Sequence, residues 1–176
     1  MDGFIARPDG DLDWLMQAQS QAPEGEDFGY AAFMAEVDGL LMGRKTFETV
    51  QAFDPWPYEG KRVHVLTRQA SLPVPAALQG RVGVSGEAPS GLLERWAREG
   101  LRRIYVDGGE LVQSLLREDL LDALTLTHIP VLLGQGRRLW GALPADRTWH
   151  LDGVSHWPCG FVQTRYRRLR PTTTAS

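Results

Sequence analysis

The run Val37-Asp38-Gly39-Leu40-Leu41-Met42-Gly43-Arg44-Lys45-Thr46-Phe47-Glu48 constrains the chain more than any other. Gly39 to Met42 reads as a short buried strand, Gly43 breaks it, and Lys45 to Val50 reads as a helix with Glu48 placed to cap its first turn. A strand, a glycine and a helix start bring several backbone N–H groups to one point. That point carries partial positive charge and suits a phosphate. Arg44 and Lys45 add full charges and Thr46 a hydroxyl donor. The plainer alternative is an ordinary strand-to-helix turn with two solvated cations. A second turn of the same kind follows later. Arg103 to Val106 reads as a strand, Asp107-Gly108-Gly109-Glu110 as a turn, and Glu110 to Arg117 as a helix carrying Leu111, Val112, Leu115 and Leu116. Without side chains, Gly108 and Gly109 let a ligand approach the backbone. The six-residue dinucleotide fingerprint with three glycines is absent, so neither turn is a standard Rossmann turn.

Composition narrows the partners. The chain has 176 residues and a net charge of -3, which argues against nucleic acid or an anionic membrane as the main partner. The basic run Arg165 to Arg170 reads as a strand with a solvated face. One cysteine, Cys159, excludes an internal disulfide and a multi-cysteine metal site, and no metal ligand set is expected. No apolar run approaches the roughly 20 residues of a membrane span. No signal peptide is visible, so the default location is cytoplasmic. The Thr-rich tail, residues 171–176, is expected to be disordered, leaving one domain over residues 1–170.

Between the turns, hydropathy places the other elements. Arg7 to Glu26 reads as a long loop with a Pro8-Asp9-Gly10-Asp11 turn cluster and then Asp13-Trp14-Leu15. Asp27 to Val37 reads as a helix, with Tyr30, Phe33, Met34 and Val37 on one apolar face. Asp27 begins on that face. It is either a helix N-cap or a half-buried acid that anchors a substrate and helps a proton reach it. Arg62 to Leu66 is a strand closed by Thr67-Arg68, and Arg81 to Val84 is a strand ending at Ser85-Gly86. Ser90 to Glu99 is a helix with Ser90 as N-cap, Leu93, Trp96 and Ala97 inward, and Gly100 as terminator. Ala123 to Leu133 reads as a long strand with a bulge or edge at Pro130. Thr148 to Val154 and Gly160 to Leu169 read as an antiparallel pair. Alternating strands and helices make the fold α/β.

Gly43-Arg44-Lys45-Thr46-Phe47-Glu48 after an apolar strand resembles the Met-Gly-Arg-x-Thr-aromatic-Glu turn of the dihydrofolate reductase superfamily. It is closest to the branch holding the reductase domain of bifunctional riboflavin-biosynthesis deaminase-reductases and their stand-alone bacterial relatives. Asp2-Gly3-Phe4-Ile5-Ala6, Asp13-Trp14-Leu15, Gly108-Gly109 and the Pro130-Val131-Leu132-Leu133-Gly134 segment recur in the family's order. The resemblance covers Asp2 to about Arg168. It implies a three-layer sandwich, a mixed and mostly parallel sheet with helices on both faces and a C-terminal antiparallel hairpin. The family's first strand precedes Asp2-Gly3 and is missing here. Its loss is expected to expose strand edges, and a late translation start is one explanation. The resemblance further implies NADPH as cofactor, held by Gly43, Arg44, Lys45, Thr46, Gly108, Gly109, Glu110 and Leu111. Thr67 and Arg68 would meet the adenosine 2′-phosphate, Ser85 would lie beside the adenine, and Ile5 and Ala6 beside the nicotinamide. Trp14, Asp27 and Tyr30 would stand on the substrate side, with Asp27 as the acid. The Gly108–Gly109 peptide is expected to be cis. The substrate would be a small molecule, a pterin or a ribosylated aminopyrimidine. The acidic stretch Asp11, Asp13, Glu24, Glu26 and Asp27 argues mildly against a phosphorylated one. The deaminase half has no counterpart, since no zinc-ligand His/Cys set is present. The alternative is a non-catalytic NADPH-binding or sensor protein. Homodimers are common in the family.

Overall fold

In the computed structural model the chain is described over residues 1–69 and 71–169, so the expectation of a disordered tail lies outside the described residues. The elements run β1 (Phe4–Ala6), α1 (Asp13–Gln19), α2 (Tyr30–Ala35), β2 (Gly39–Gly43), α3 (Arg44–Val50), β3 (Arg62–Leu66), β4 (Val82–Ser85), α4 (Pro89–Arg98), β5 (Ile104–Asp107) and α5 (Gly109–Arg117). Then come β6 (Ala123–His128), β7 (Arg137–Arg138), β8 (Trp149–His156) and β9 (Val162–Arg168). The chain divides into two units, Asp27–Leu115 and the combination of Met1–Glu26 with Leu116–Ser176.

The unit Asp27–Leu115 is built on a four-stranded parallel sheet in the order β4-β3-β2-β5. β2 is central and its Leu40, Leu41 and Met42 are fully buried. Such a near-continuous apolar run is what a strand covered on both faces requires. Asp38 fixes the start of β2 against β5. Its Oδ2 accepts from the backbone N–H of Arg102 at 2.6 Å and of Arg103 at 2.8 Å. On α4, Leu92 and Trp96 are the buried residues, rather than the expected Leu93 and Ala97. A Cβ added to Gly39 would lie 3.0 Å from the Trp96 ring, so glycine lets α4 approach β2. The α4 cap also differs from expectation. Ala88 is the N-cap and Pro89 fills the first turn, where a missing N–H costs nothing.

Two helices depart further from the sequence reading. α2 starts at Tyr30, not Asp27, because Phe28 and Gly29 hold φ values of 56° and 80° that no helix accommodates. Met34 and Val37 are buried, whereas Tyr30 and Phe33 are exposed. α3 begins one residue earlier than expected, and Glu48 does not cap it: Gly43 is the N-cap with no side-chain hydrogen bond. Glu48 instead accepts from Arg44 Nη1 at 2.7 Å, one turn back on the same helix.

In the other unit, β6, β9 and β8 form an antiparallel sheet in that order. β6 ends at His128 rather than Leu133, since Pro130 cannot donate to a ladder. The stretch read as a pure loop holds α1, whose side chains are all at least partly exposed. The opening residues form β1, which pairs with β7 and not with the parallel sheet. Gly136 is required there, since a Cβ would fall 2.3 Å from the Ala6 carbonyl oxygen. Arg137 donates from Nη2 to the Asp9 carbonyl at 2.8 Å and so ties the Pro8–Gly10 turn to β7. β5 and β6 are each terminal in their own sheets, and each leaves one edge without a partner strand among the described residues. No helix among them is long and apolar enough to cross a membrane.

Candidate active site

Parallel register brings the carboxyl ends of four strands level. Gly43 of β2 faces Leu66 of β3, Leu66 faces Ser85 of β4, and Met42 faces Asp107 of β5. In open α/β sheets this is the end at which ligands bind. Both glycine turns emerge there and meet. A Cβ on Gly108 would lie 2.8 Å from Thr46 Oγ1 and 3.6 Å from the Gly43 backbone nitrogen. Gly108 also holds φ at 107°, a conformation that L side chains rarely adopt. Position 108 therefore demands glycine twice over, and the missing side chain lets the second turn pack directly against the first. Lys45 Nζ donates to Glu110 Oε1 at 2.7 Å and ties one turn to the other. The Gly108–Gly109 peptide is not cis, contrary to expectation; the positive φ at Gly108 turns the chain into α5 without it.

The donors of the two turns can be re-partnered. No side chain caps α3, so its first-turn N–H groups keep their capacity. The Arg44–Glu48 and Lys45–Glu110 pairs are surface ion pairs, a kind worth about 0–1 kcal/mol, so both cations can exchange a carboxylate for a phosphate. Arg68 is exposed just beyond β3 and has no hydrogen-bond or ion-pair partner among the described residues. Thr67 donates its N–H to the Ser85 carbonyl at 3.0 Å and accepts from Gln69 N at its Oγ1. Ser85 is more engaged than its sequence shows. Its Oγ lies 2.9 Å from His64 Nε2 and donates to Glu87 Oε1 at 2.9 Å, and Arg95 Nη2 donates to the same carboxylate. Burial pushes the His64 imidazole below its usual range. Leu111 is buried and anchors α5.

Asp27 and Asp107 hold their carboxyls in different surroundings. Asp27 spends both carboxylate oxygens on backbone N–H groups, Oδ1 on Gly29 at 2.8 Å and Oδ2 on Ala31 at 2.9 Å. Those bonds, Ala31 first, hold its pKa below the usual carboxylate range. This is capping chemistry. Asp107, by contrast, ends β5 partly buried. Burial pushes its carboxyl up, against a smaller downward pull from the Gly108 N–H. Tyr105 and Tyr58 are pushed up by burial and then by the charge of Asp107, and Tyr30 follows the same order. Three phenols thus sense one carboxylate. The sequence reading used Asp107 only as part of a turn. An acid directly between an apolar strand and Gly-Gly was the available signal. Ile5, Ala6 and Trp14 belong to the other unit. Ala6 is buried there, and the Trp14 Nε1 donor is buried without a hydrogen-bond partner among the described residues.

Comparison with known proteins identifies the class. The RibD C-terminal domain family matches residues 1–163, so this chain belongs to that family. It is 33% identical over 171 residues to the uncharacterized protein YwjB of Bacillus subtilis strain 168, covering 96% of this chain and 92% of that protein. A crystal structure of a putative riboflavin biosynthesis protein from Shewanella sp. PV-4 superposes with a TM-score of 0.87 at 35% identity, covering 97% of this chain and 94% of that one. The fold also matches a Thermotoga maritima diaminohydroxyphosphoribosylaminopyrimidine deaminase/5-amino-6-(5-phosphoribosylamino)uracil reductase, with a TM-score of 0.67 at 14% identity, over 95% of this chain and 53% of that one.

Proposed function

We propose that the chain is an NADPH-dependent reductase that delivers hydride to a small heterocyclic substrate of the pterin or aminopyrimidine kind. The observation that carries this reading is the joined pair of glycine turns at the carboxyl ends of β2 and β5. Gly108 packs directly against Thr46 and Gly43 and so joins the two turns, and membership of the RibD C-terminal domain family supports a dinucleotide as their ligand. NADPH, when bound, supplies the hydride, and the protein positions and solvates it. Gly43, Arg44, Lys45 and Thr46, with Gly108, Gly109, Glu110 and Leu111, would hold the pyrophosphate through N–H groups, cations and the Thr46 hydroxyl. Arg68, with Thr67, would pair with the 2′-phosphate, where a guanidinium offers two parallel donors. Ser85 would border the adenine, Ile5 and Ala6 the nicotinamide, and Trp14 and Tyr30 the substrate.

For the proton that accompanies hydride addition, Asp107 is better suited than Asp27. A partly buried carboxyl pushed up favours its protonated form more than a capping carboxylate pushed down does. Replacing Asp27 with Asn should accordingly leave turnover largely intact, while Asp107→Asn should abolish it and spare cofactor binding.

Titration with NADPH and with NADH, followed by tryptophan-to-nicotinamide energy transfer, tests the reading. Saturable binding with NADPH preferred at least about tenfold is expected, and Arg68→Ala should erase most of that preference, since a charged hydrogen bond is worth about 1.5–3 kcal/mol. Absence of binding by either nucleotide would refute the reductase reading.

A further inference from the structure

The unit that carries the antiparallel sheet holds a cavity of about 340 Å³ to which the reductase reading assigns nothing. That volume falls within the roughly 300–1,000 Å³ of small-molecule sites. Leu126 and Tyr166 from the sheet, with Trp140 and Trp149, give it apolar and aromatic walls. Arg147 and His128 are its ionisable lining, apart from the Tyr166 phenol, and no carboxylate lines it. Trp140 and Leu143 remain 39% and 40% exposed, a large apolar area to leave in water beside a cavity.

Arg147 gives the cavity its sign. Its side chain is only 16% exposed. Its Nε is buried without a hydrogen bond and stands 3.4 Å from Asp119 Oδ1. Nη1 reaches the Ala145 and Asp146 carbonyls at 3.5 and 3.2 Å. Asp119 is shared, since Arg168 pairs with the same oxygen. Two guanidinium groups thus divide one carboxylate, and Arg147 retains donor capacity that a further anion would satisfy. We propose that this cavity binds a small organic acid, an aryl or alkyl body carrying one anionic group. The rings cover the body and Arg147 pairs with the acid.

Two dyes with the same ring body test this: 8-anilinonaphthalene-1-sulfonate, which carries the acid, and N-phenyl-1-naphthylamine, which does not. The expected result is saturable one-to-one binding of both, the sulfonate tighter by about tenfold, and neither displaced by saturating NADPH. Arg147→Met should remove the difference while leaving the neutral dye bound. Trp140→Ala, at a position that is 39% exposed, should weaken both dyes and keeps the test decisive if Arg147→Met does not fold. Equal affinity for the two dyes, displacement by NADPH, unchanged binding of the sulfonate by a folded Arg147→Met, or unchanged binding of both dyes by Trp140→Ala would overturn the proposal. So would a stable dimer in sedimentation equilibrium that excludes the dyes, since a second copy would then cover the face. Because NADPH binding is read separately, failure here leaves the reductase reading standing, and the converse also holds.

Discussion

The parallel and the antiparallel sheet use apolar residues in opposite ways. In the parallel sheet, β2 is buried through Gly39-Leu40-Leu41-Met42, and β3 contributes the buried Val63 and Val65. In the antiparallel sheet, β6 reads Ala-Leu-Thr-Leu-Thr-His and β9 Val-Gln-Thr-Arg-Tyr-Arg-Arg, partly buried positions mixed with exposed ones, and neither strand holds a fully buried residue. The first arrangement aligns strand ends and brings the two glycine turns together there. The second presents a face, and its cavity is made of side chains. Backbone recognition suits a phosphate, and side-chain recognition suits an organic body with one charge.

The largest effect should come from testing burial itself. Leu40→Ala removes a fully buried side chain from the centre of the parallel core and should cost about 2–5 kcal/mol in urea unfolding. Leu151→Ala on β8, where Leu151 is 48% exposed, should cost less than about 1 kcal/mol. Equal losses would break the contrast between the sheets. A second effect follows from Asp107, whose carboxyl titrates above the ordinary 3.8. The folded chain holds that proton where the unfolded chain releases it. Its contribution to stability is therefore full below pH 3.8 and is lost as pH rises through the raised value. Asp107→Asn has no such loss, so its melting temperature relative to the native chain should climb as pH rises above about 4. A difference independent of pH would place Asp107 in solvent. The smallest effect belongs to the surface of the cofactor turn. Glu48→Ala removes the exposed Arg44 pair and should change stability by no more than about 0.5 kcal/mol. It should tighten NADPH slightly by releasing Arg44, and a loss of affinity would show that Glu48 orients the arginine instead.

What was legible in the sequence follows the same division. β2 and β5 could be read because an apolar run ending at a glycine turn states both the strand and its end, β3 from its apolar Val63, Val65 and Leu66, and α5 from the spacing of Leu111, Val112, Leu115 and Leu116. The two glycine turns could be placed, though not their contact, since the approach of Gly108 to Thr46 depends on the register of β2 against β5. α2 was read too long because nothing in Asp-Phe-Gly announces the left-handed Phe28. α1 was missed because none of its side chains is fully buried and hydropathy leaves no periodic trace. β6 was overextended through Pro130, where the apolar run continues but the ladder does not. Asp107 was passed over as an acid because its raised pKa comes from burial that only the folded chain creates.

The most direct test of the account is the affinity of Gly108→Ala for NADPH beside that of the native chain, with thermal melts to confirm that both are folded. A methyl group at position 108 would fall 2.8 Å from Thr46 Oγ1 and must hold a φ of 107°. The account expects a folded variant whose affinity falls by at least about a hundredfold. A folded variant that binds NADPH as the native chain does would contradict the assignment of the paired glycine turns as the cofactor cradle.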